Sequence, residues 1–223
     1  SILTKKLKIY LPSALEIVIL CFIFAAEILG EISSFYINVP HWDTMLHTIN
    51  GFLCAAVGFA LVDLFNRDER FTFKLSPLFL AVVAFCFSMT IGVLWEFFEF
   101  SADHFFATDM QKDTIVRQIN TVELDETRTN KVVKIKNIDD VIIVHTDGSE
   151  ESLGLGGYLD IGIIDTMKDL FVNFIGAVVF SILGFIYVKT RGKGKIASSF
   201  IPRVEINDRS LGEEEKKEDN QEN

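Results

Sequence analysis

The sequence predicts an all-α integral membrane protein, a bundle of four transmembrane helices with a small extracytoplasmic loop insertion. Four stretches of the 223-residue chain are apolar over about 20 residues, the length of helix that crosses a hydrocarbon core. The net charge of −10 comes from two regions outside these stretches, because residues 101–160 contain 12 acids and 6 bases and residues 203–223 contain 8 acids and 4 bases. A soluble globular domain is therefore excluded. A nucleic-acid-binding protein is also excluded, because the acidic excess leaves no surface to neutralise phosphates.

The apolar stretches divide the chain into successive segments. Helices are expected at about residues 11–30, 44–64, 77–100 and 161–188. The segments are a cytoplasmic N-terminal segment (1–10), three transmembrane helices (11–100), an acidic extracytoplasmic loop (101–160), a fourth transmembrane helix (161–189) and a cytoplasmic tail (190–223). The tail is rich in Glu and Lys, is too polar to fold alone, and is expected to be disordered. Position 1 is Ser, which is compatible with a trimmed piece of a longer chain.

The basic residues predict the orientation of these helices. Outside the loop and the tail, Lys and Arg collect before the first helix, between the second and third, and after the fourth, and Lys168 is the exception. The positive-inside rule places such residues in the cytoplasm. We therefore expect a multi-pass protein of the cell membrane, plasma or inner, with both ends of this chain cytoplasmic.

The acidic loop is expected to contain a β-hairpin. Residues 131–135 and 141–144 are rich in β-branched side chains, which favours two strands that pair with each other. Asp147-Gly148 is typical of a turn, and the glycines of residues 154–157 predict a flexible approach to the fourth helix.

Acids, histidines and amides gather at the predicted outer ends of the helices. Asp43 and His47 are four residues apart and share a helix face, as do Glu96 and Glu99, three residues apart. The fourth helix places Asp165, Asp169 and Asn173 at successive steps of four. The other candidates are Glu27, His41, Asn50 and Lys168.

A divalent cation would compensate these carboxylates. Ionisable groups in a membrane span cost roughly 2.5–3.5 kcal/mol each at its centre, and here only Lys168 and a protonated His supply positive charge. Carboxylates and imidazoles from different helices are ligands that metal sites in helix bundles use. The expected ligands of one divalent metal ion are Asp43, His47, Glu96, Asp169 and Asp165. Without Cys ligands, a structural zinc site is not expected.

Simpler explanations exist for the same residues. Glu27, Glu31, His41 and Glu99 lie near helix ends, where the headgroup region would solvate them. Asp169 and Asn173 are deeper, and a hydrogen-bond network between helices would account for them without a ligand. Asp43 with His47 could be a hydrogen-bonded pair, and Asp165 with Lys168 an internal ion pair.

Three motifs carry a resemblance to known families. They are His41-Trp42-Asp43 with His47 and Gly51, Leu94-Trp95-Glu96-Phe97-Phe98-Glu99, and Asp165-Thr166 with Asp169 and Asn173. Together they resemble the YjdF-like group of uncharacterised bacterial multi-pass membrane proteins, over residues 11–190. Asp43 with His47, and Asp169-x-x-x-Asn173-x-x-Gly176-Ala177, are more faintly similar to VanZ-like proteins, which implies work at the cell envelope without naming a reaction.

Three functions fit these observations. The first is a metal-dependent hydrolase that acts on an envelope or lipid-headgroup substrate, with Glu99 or His41 as general base. The second is an ion or small-solute transporter, although the inner halves of the helices hold few ionisable groups for a relay. The third is a non-catalytic membrane component that binds a partner through its outer loop.

Overall fold

The structure, a computed structural model, describes residues 9–10, 13–67, 75–190 and 203–204. Within these residues it contains four helices that are long and apolar enough to cross a membrane. They are Ser13–Ile32, Trp42–Asp63, Pro77–Phe106 and Ile163–Lys189. The strands in these residues are short and form two-stranded antiparallel pairs. The predicted fold class, an all-α membrane helix bundle with a small loop insertion, is therefore confirmed.

Several sequence-based expectations fall on residues that the structure does not describe. These are the disorder of the tail and the placement of the basic residues Lys5, Lys6, Lys8, Arg70, Lys74, Arg191, Lys193 and Lys195. At the margins of those regions, β1 (Ile9–Tyr10) pairs antiparallel with β8 (Arg203–Val204).

The first span changes helix type along its length. It begins as α1 (Ser13–Ile23) and continues as a π-helical segment (Phe24–Ile32). The short helix α2 (Phe35–Asn38) follows. A π-helical stretch of this length is rare, and such departures from α-helical geometry are frequent at functional sites.

The later spans are continuous α-helices, α3 (Trp42–Arg67), α4 (Pro77–Phe106) and α5 (Ile163–Lys189). Helix α4 extends to Phe106 rather than ending near Phe100, which gives it a length of about 45 Å at 1.5 Å per residue. This exceeds a hydrocarbon core of about 30 Å, so one end of α4 projects beyond the core. The sequence did not predict the extension because polarity marks where an apolar span ends but not where a helix ends.

The chain divides into two compact units. The first comprises residues 1–91 and 172–223, and its core includes Phe59, Leu80 and Phe180. In this unit α3 and α5 approach so closely that a Cβ on Gly51 would overlap the carbonyl oxygen of Asn173. A Cβ on Gly176 would likewise overlap the carbonyl oxygen of Thr48. Small residues permit this backbone contact, as is common between membrane helices.

The cysteines are free thiols at different depths. Cys54 is half-buried, whereas Cys21 and Cys86 are exposed on the helix surfaces. Each cysteine lies in an apolar stretch of the sequence, but only Cys54 is partly covered by its own chain. Cys21 and Cys86 lie in spans where lipid rather than water would surround them.

The second unit, residues 92–171, contains the loop. Its strands are β2 (Ile115–Val116), β3 (Gln118–Thr121), β4 (Val133–Lys136), β5 (Ile142–Val144), β6 (Glu150–Ser152) and β7 (Tyr158–Leu159). They form three antiparallel pairs, β2 with β7, β3 with β4 and β5 with β6.

The pairing of the loop strands differs from the expected one. Both predicted stretches contain strands, β4 and β5, but each pairs with a different neighbour. The turn at Asp147-Gly148 explains the second pair, because Gly148 has φ 84° and the His145 amide donates to the Ser149 carbonyl over 2.8 Å. This turn closes β5 onto β6, which leaves β4 to pair with β3.

Asp125 organises the turn between β3 and β4. Its carboxylate accepts hydrogen bonds from the Thr127 hydroxyl (2.6 Å) and from the amides of Thr129 (3.0 Å) and Lys131 (2.9 Å). The Thr127 hydroxyl first, and then the Lys131 amide, lower the pKa of Asp125 from 3.8 to about 2. The turn therefore depends on the ionised carboxylate.

We expect acid to disorder this turn. Because the pKa of Asp125 is lower in the folded loop, its stabilising effect is complete above the ordinary pKa and is lost as the pH falls from about 4 toward 2. In NMR spectra of the protein in detergent micelles, the Thr129 and Lys131 amide shifts should titrate with a midpoint near 2. Asp125→Asn should alter those shifts at pH 7, and Asp139→Asn, which changes an exposed acid, should not. Unchanged shifts in Asp125→Asn would contradict this role.

Candidate metal-binding site

The first turns of α3 position an acid and a histidine on one helix face. His47 Nε2 lies 3.5 Å from Asp43 Oδ1, and His47 is only 8% exposed. Asp43 is half-buried. The spacing of four residues places both side chains on one face, as predicted.

A second aspartate, Asp169, lies close to Asp43 and His47. It is 1% exposed and belongs to α5. One ligand atom from each of Asp43, His47 and Asp169 lies within 4.8 Å of the other two, an arrangement that could hold a metal ion. Three of the five predicted metal ligands are thus brought together.

The two glutamates of α4 are both buried, Glu96 with 4% and Glu99 with 7% of its surface exposed. Trp95 Nε1 donates a hydrogen bond of 2.7 Å to Glu99 Oε1. Gln111 Nε2 lies 3.5 Å from Glu96 Oε2 and 2.6 Å from Thr166 Oγ1. Glu96 therefore has a neutral partner from the loop and is not part of the group of three ligands.

The sequence did not predict the contact between Gln111 and Thr166, although Thr166 belongs to one of the three resemblance motifs. Both are uncharged, and 55 positions separate them. Such residues are common in loops and first helical turns, so the sequence contains no signal that could have found the contact. Within the second unit, Gln111 links the loop to both α4 and α5.

Asp165 is held by two nitrogen atoms. The Lys112 amide donates to Asp165 Oδ2 over 2.9 Å, and Lys168 Nζ lies 3.4 Å from Asp165 Oδ1. The ion pair with Lys168 is the simpler alternative that the sequence allowed. Asp165 lies outside the group of three ligands.

Asn173 joins a network of polar contacts in the first unit. Asn173 is 1% exposed, and its Nδ2 lies 3.5 Å from the Ser88 carbonyl oxygen. The Ser88 hydroxyl donates to the Gly51 carbonyl oxygen over 2.7 Å, so the network joins α3, α4 and α5. Asn50 Oδ1 accepts a contact of 3.5 Å from Cys54 Sγ on its own helix. A hydrogen-bond network between helices is thus present in the first unit.

Two candidates lie at the surface. Glu27 is exposed on the π-helical segment, and His41 is exposed immediately before α3 with φ 62°. Positive φ is uncommon for a residue other than glycine and fixes the direction in which the chain enters the helix. Neither residue belongs to the group of three ligands.

These features define a membrane protein with four candidate spans and a buried polar site. A family model described as "Predicted membrane protein (DUF2238)" matches residues 1–190, and the chain belongs to this family. No curated protein and no solved structure shows a significant match to the chain. The family description gives a location but no reaction, and the resemblances to YjdF-like and VanZ-like proteins stay predictions.

Proposed function

We propose that this protein binds one divalent cation through Asp43, His47 and Asp169 and uses it to hydrolyse an envelope or lipid-headgroup substrate. A single observation supports the proposal, namely that ligand atoms of these three residues lie within 4.8 Å of one another. Their burial adds to it, because His47 and Asp169 are almost fully removed from water.

The charges of the group suit a cation. Two ionised carboxylates close together in a span are costly, and a divalent ion would neutralise both. One imidazole and two carboxylates are ligands for transition metals such as zinc, manganese or iron. Three protein ligands also leave coordination positions open for water and substrate, as in catalytic rather than structural sites.

A cation bound there would supply a nucleophile and polarise the substrate. It would lower the pKa of a bound water and withdraw charge from a phosphoryl or acyl oxygen. Glu99, held by Trp95, and the exposed His41 are the proposed general bases. Glu96 and Asp165 bind protein groups and would support the ligands.

The orientation of the site is also a proposal. The distribution of Lys and Arg supports a protein of the cell membrane with both ends of this chain in the cytoplasm. The ligands would then lie at the extracytoplasmic ends of the helices. The resemblance to YjdF-like and VanZ-like proteins supports a bacterial envelope role.

The test is the metal content and the activity of the detergent-purified protein. We expect about one equivalent of a transition metal per chain by plasma mass spectrometry after dialysis against metal-free buffer. Headgroup release from a lipid mixture should stop after treatment with a chelator and return when the metal is restored. The exposed loop variant Glu151→Ala serves as the control and should match the unmodified protein.

Two outcomes would contradict the proposal. Absence of bound metal after loading with Mg, Mn, Ca or Zn would exclude the cation site. Bound metal with cation-dependent flux into proteoliposomes, but without turnover of any lipid, would favour an ion or solute transporter instead of a hydrolase.

A further inference from the structure

An apolar groove of about 420 Å³ runs between α4 and α5 in the first unit. Its lining side chains include Leu78, Val82 and Phe85 of α4 and Phe174, Val178 and Ile182 of α5. Ser181 is the one polar residue of the lining, its hydroxyl is buried, and the other lining side chains are hydrocarbon. The groove lies within two candidate membrane spans.

The groove is open along its side. Leu78 is 63%, Val82 48% and Ile182 54% exposed, so its rim reaches the outer surface of the helices. In a membrane span this surface faces lipid. The natural neighbour of the groove is therefore a hydrocarbon chain.

The two ends of the groove differ. The rings of Phe85 and Phe174 contact each other edge to face with centroids 5.4 Å apart, and they close one end. The other end lies at Leu78 and Phe185, beside the start of α4 and the end of α5. Along the helices the groove extends about 10 Å on α4 and about 16 Å on α5 at 1.5 Å per residue.

A positively charged side chain, that of Lys189, lies near the open end of the groove. Lys189 Nζ lies 5.6 Å from the centroid of the Phe185 ring, and Lys189 is in the last turn of α5. Basic residues beside grooves between membrane helices bind anionic lipid headgroups. The open end is thus positive where a headgroup would lie, and the closed end is apolar where an acyl chain would end.

We propose that this groove binds an anionic phospholipid of the bilayer, with one acyl chain between α4 and α5 and the phosphate at Lys189. The dimensions favour a chain over a protein helix, because the groove follows only two to three turns of helix. The lysine favours an anionic headgroup over a zwitterionic one. This site is separate from the proposed cation ligands and does not depend on them.

Native mass spectrometry of the full chain, released from detergent, tests the proposal. The protein is titrated with phosphatidylglycerol and, separately, with phosphatidylcholine that has the same acyl chains. We expect one tightly bound lipid and about a fivefold preference for phosphatidylglycerol, the effect of one Lys near a headgroup. Lys189→Gln should lose the preference, and Lys189→Arg should keep it.

A matched pair of variants tests the groove itself. Val178→Phe places a ring in the groove and should abolish binding of both lipids. Val179→Phe makes the same change at a neighbouring residue that is 47% exposed and does not line the groove, and it should bind lipid normally. Thermal melting in detergent would establish that both variants fold.

Three results would overturn the proposal. Lipid binding by Val178→Phe that equals that of the unmodified protein would place the lipid elsewhere. If Lys189→Gln kept the preference for phosphatidylglycerol, Lys189 would not contact the headgroup. This variant changes an exposed side chain, so we expect it to fold normally. A dimer that Val178→Phe dissociates would show that a second copy, not a lipid, occupies the groove.

Discussion

Replacing Asp169 by Asn is expected to abolish tight binding of a divalent cation. Asp169 is 1% exposed, and its carboxylate lies with the ligand atoms of Asp43 and His47. Asn has the same shape but lacks the negative charge that attracts a cation. Loss of residues that only support metal ligands costs about 10–100-fold in affinity, so loss of a ligand should cost at least about 100-fold.

Equilibrium dialysis against zinc and manganese would measure this effect, with Glu151→Gln as a control that removes an exposed carboxylate. A second readout separates the cation site from a hydrogen-bond network. Metal should raise the melting temperature of the unmodified protein and leave that of Asp169→Asn unchanged, because only a folded site binds the ion. If Asp169→Asn bound metal as tightly as the unmodified protein, Asp169 would not be a ligand.

The glycine contacts between α3 and α5 predict the largest effect on stability. Gly51→Ala or Gly176→Ala would place a methyl group against a backbone carbonyl oxygen, of Asn173 or Thr48 respectively. A backbone cannot move aside without separating the helices. Inserting atoms into a packed core typically costs about 1–3 kcal/mol, and we expect each variant to reach or exceed the upper value.

Gly184→Ala is the matched control for this prediction. Its Cβ would lie 2.9 Å from the ring of Phe59, a core side chain rather than a backbone carbonyl, so its loss of stability should be smaller. Thermal unfolding in detergent, followed by circular dichroism, would compare the three variants. Equal melting temperatures for Gly176→Ala and the unmodified protein would contradict the close contact.

The sequence by itself determined the membrane class, the four spans and the acidic loop. Hydropathy and charge are summed over about 20 residues, so these properties do not depend on which helices touch. The sequence also predicted that Asp43 and His47 lie on one helix face, because residues four apart on a helix share a face. Asp169 was predicted to join Asp43 and His47 as a metal ligand because it lies at a similar depth in its span.

Only the tertiary structure decided which distant groups meet. It separated Glu96 and Asp165 from the three grouped ligands and gave Glu96 a partner in Gln111. It also placed β4 and β5 in different strand pairs and formed the apolar groove between α4 and α5 near Lys189. The physical reason is that these contacts depend on helix rotation and loop path, which are set by packing between segments that no local pattern of residues encodes.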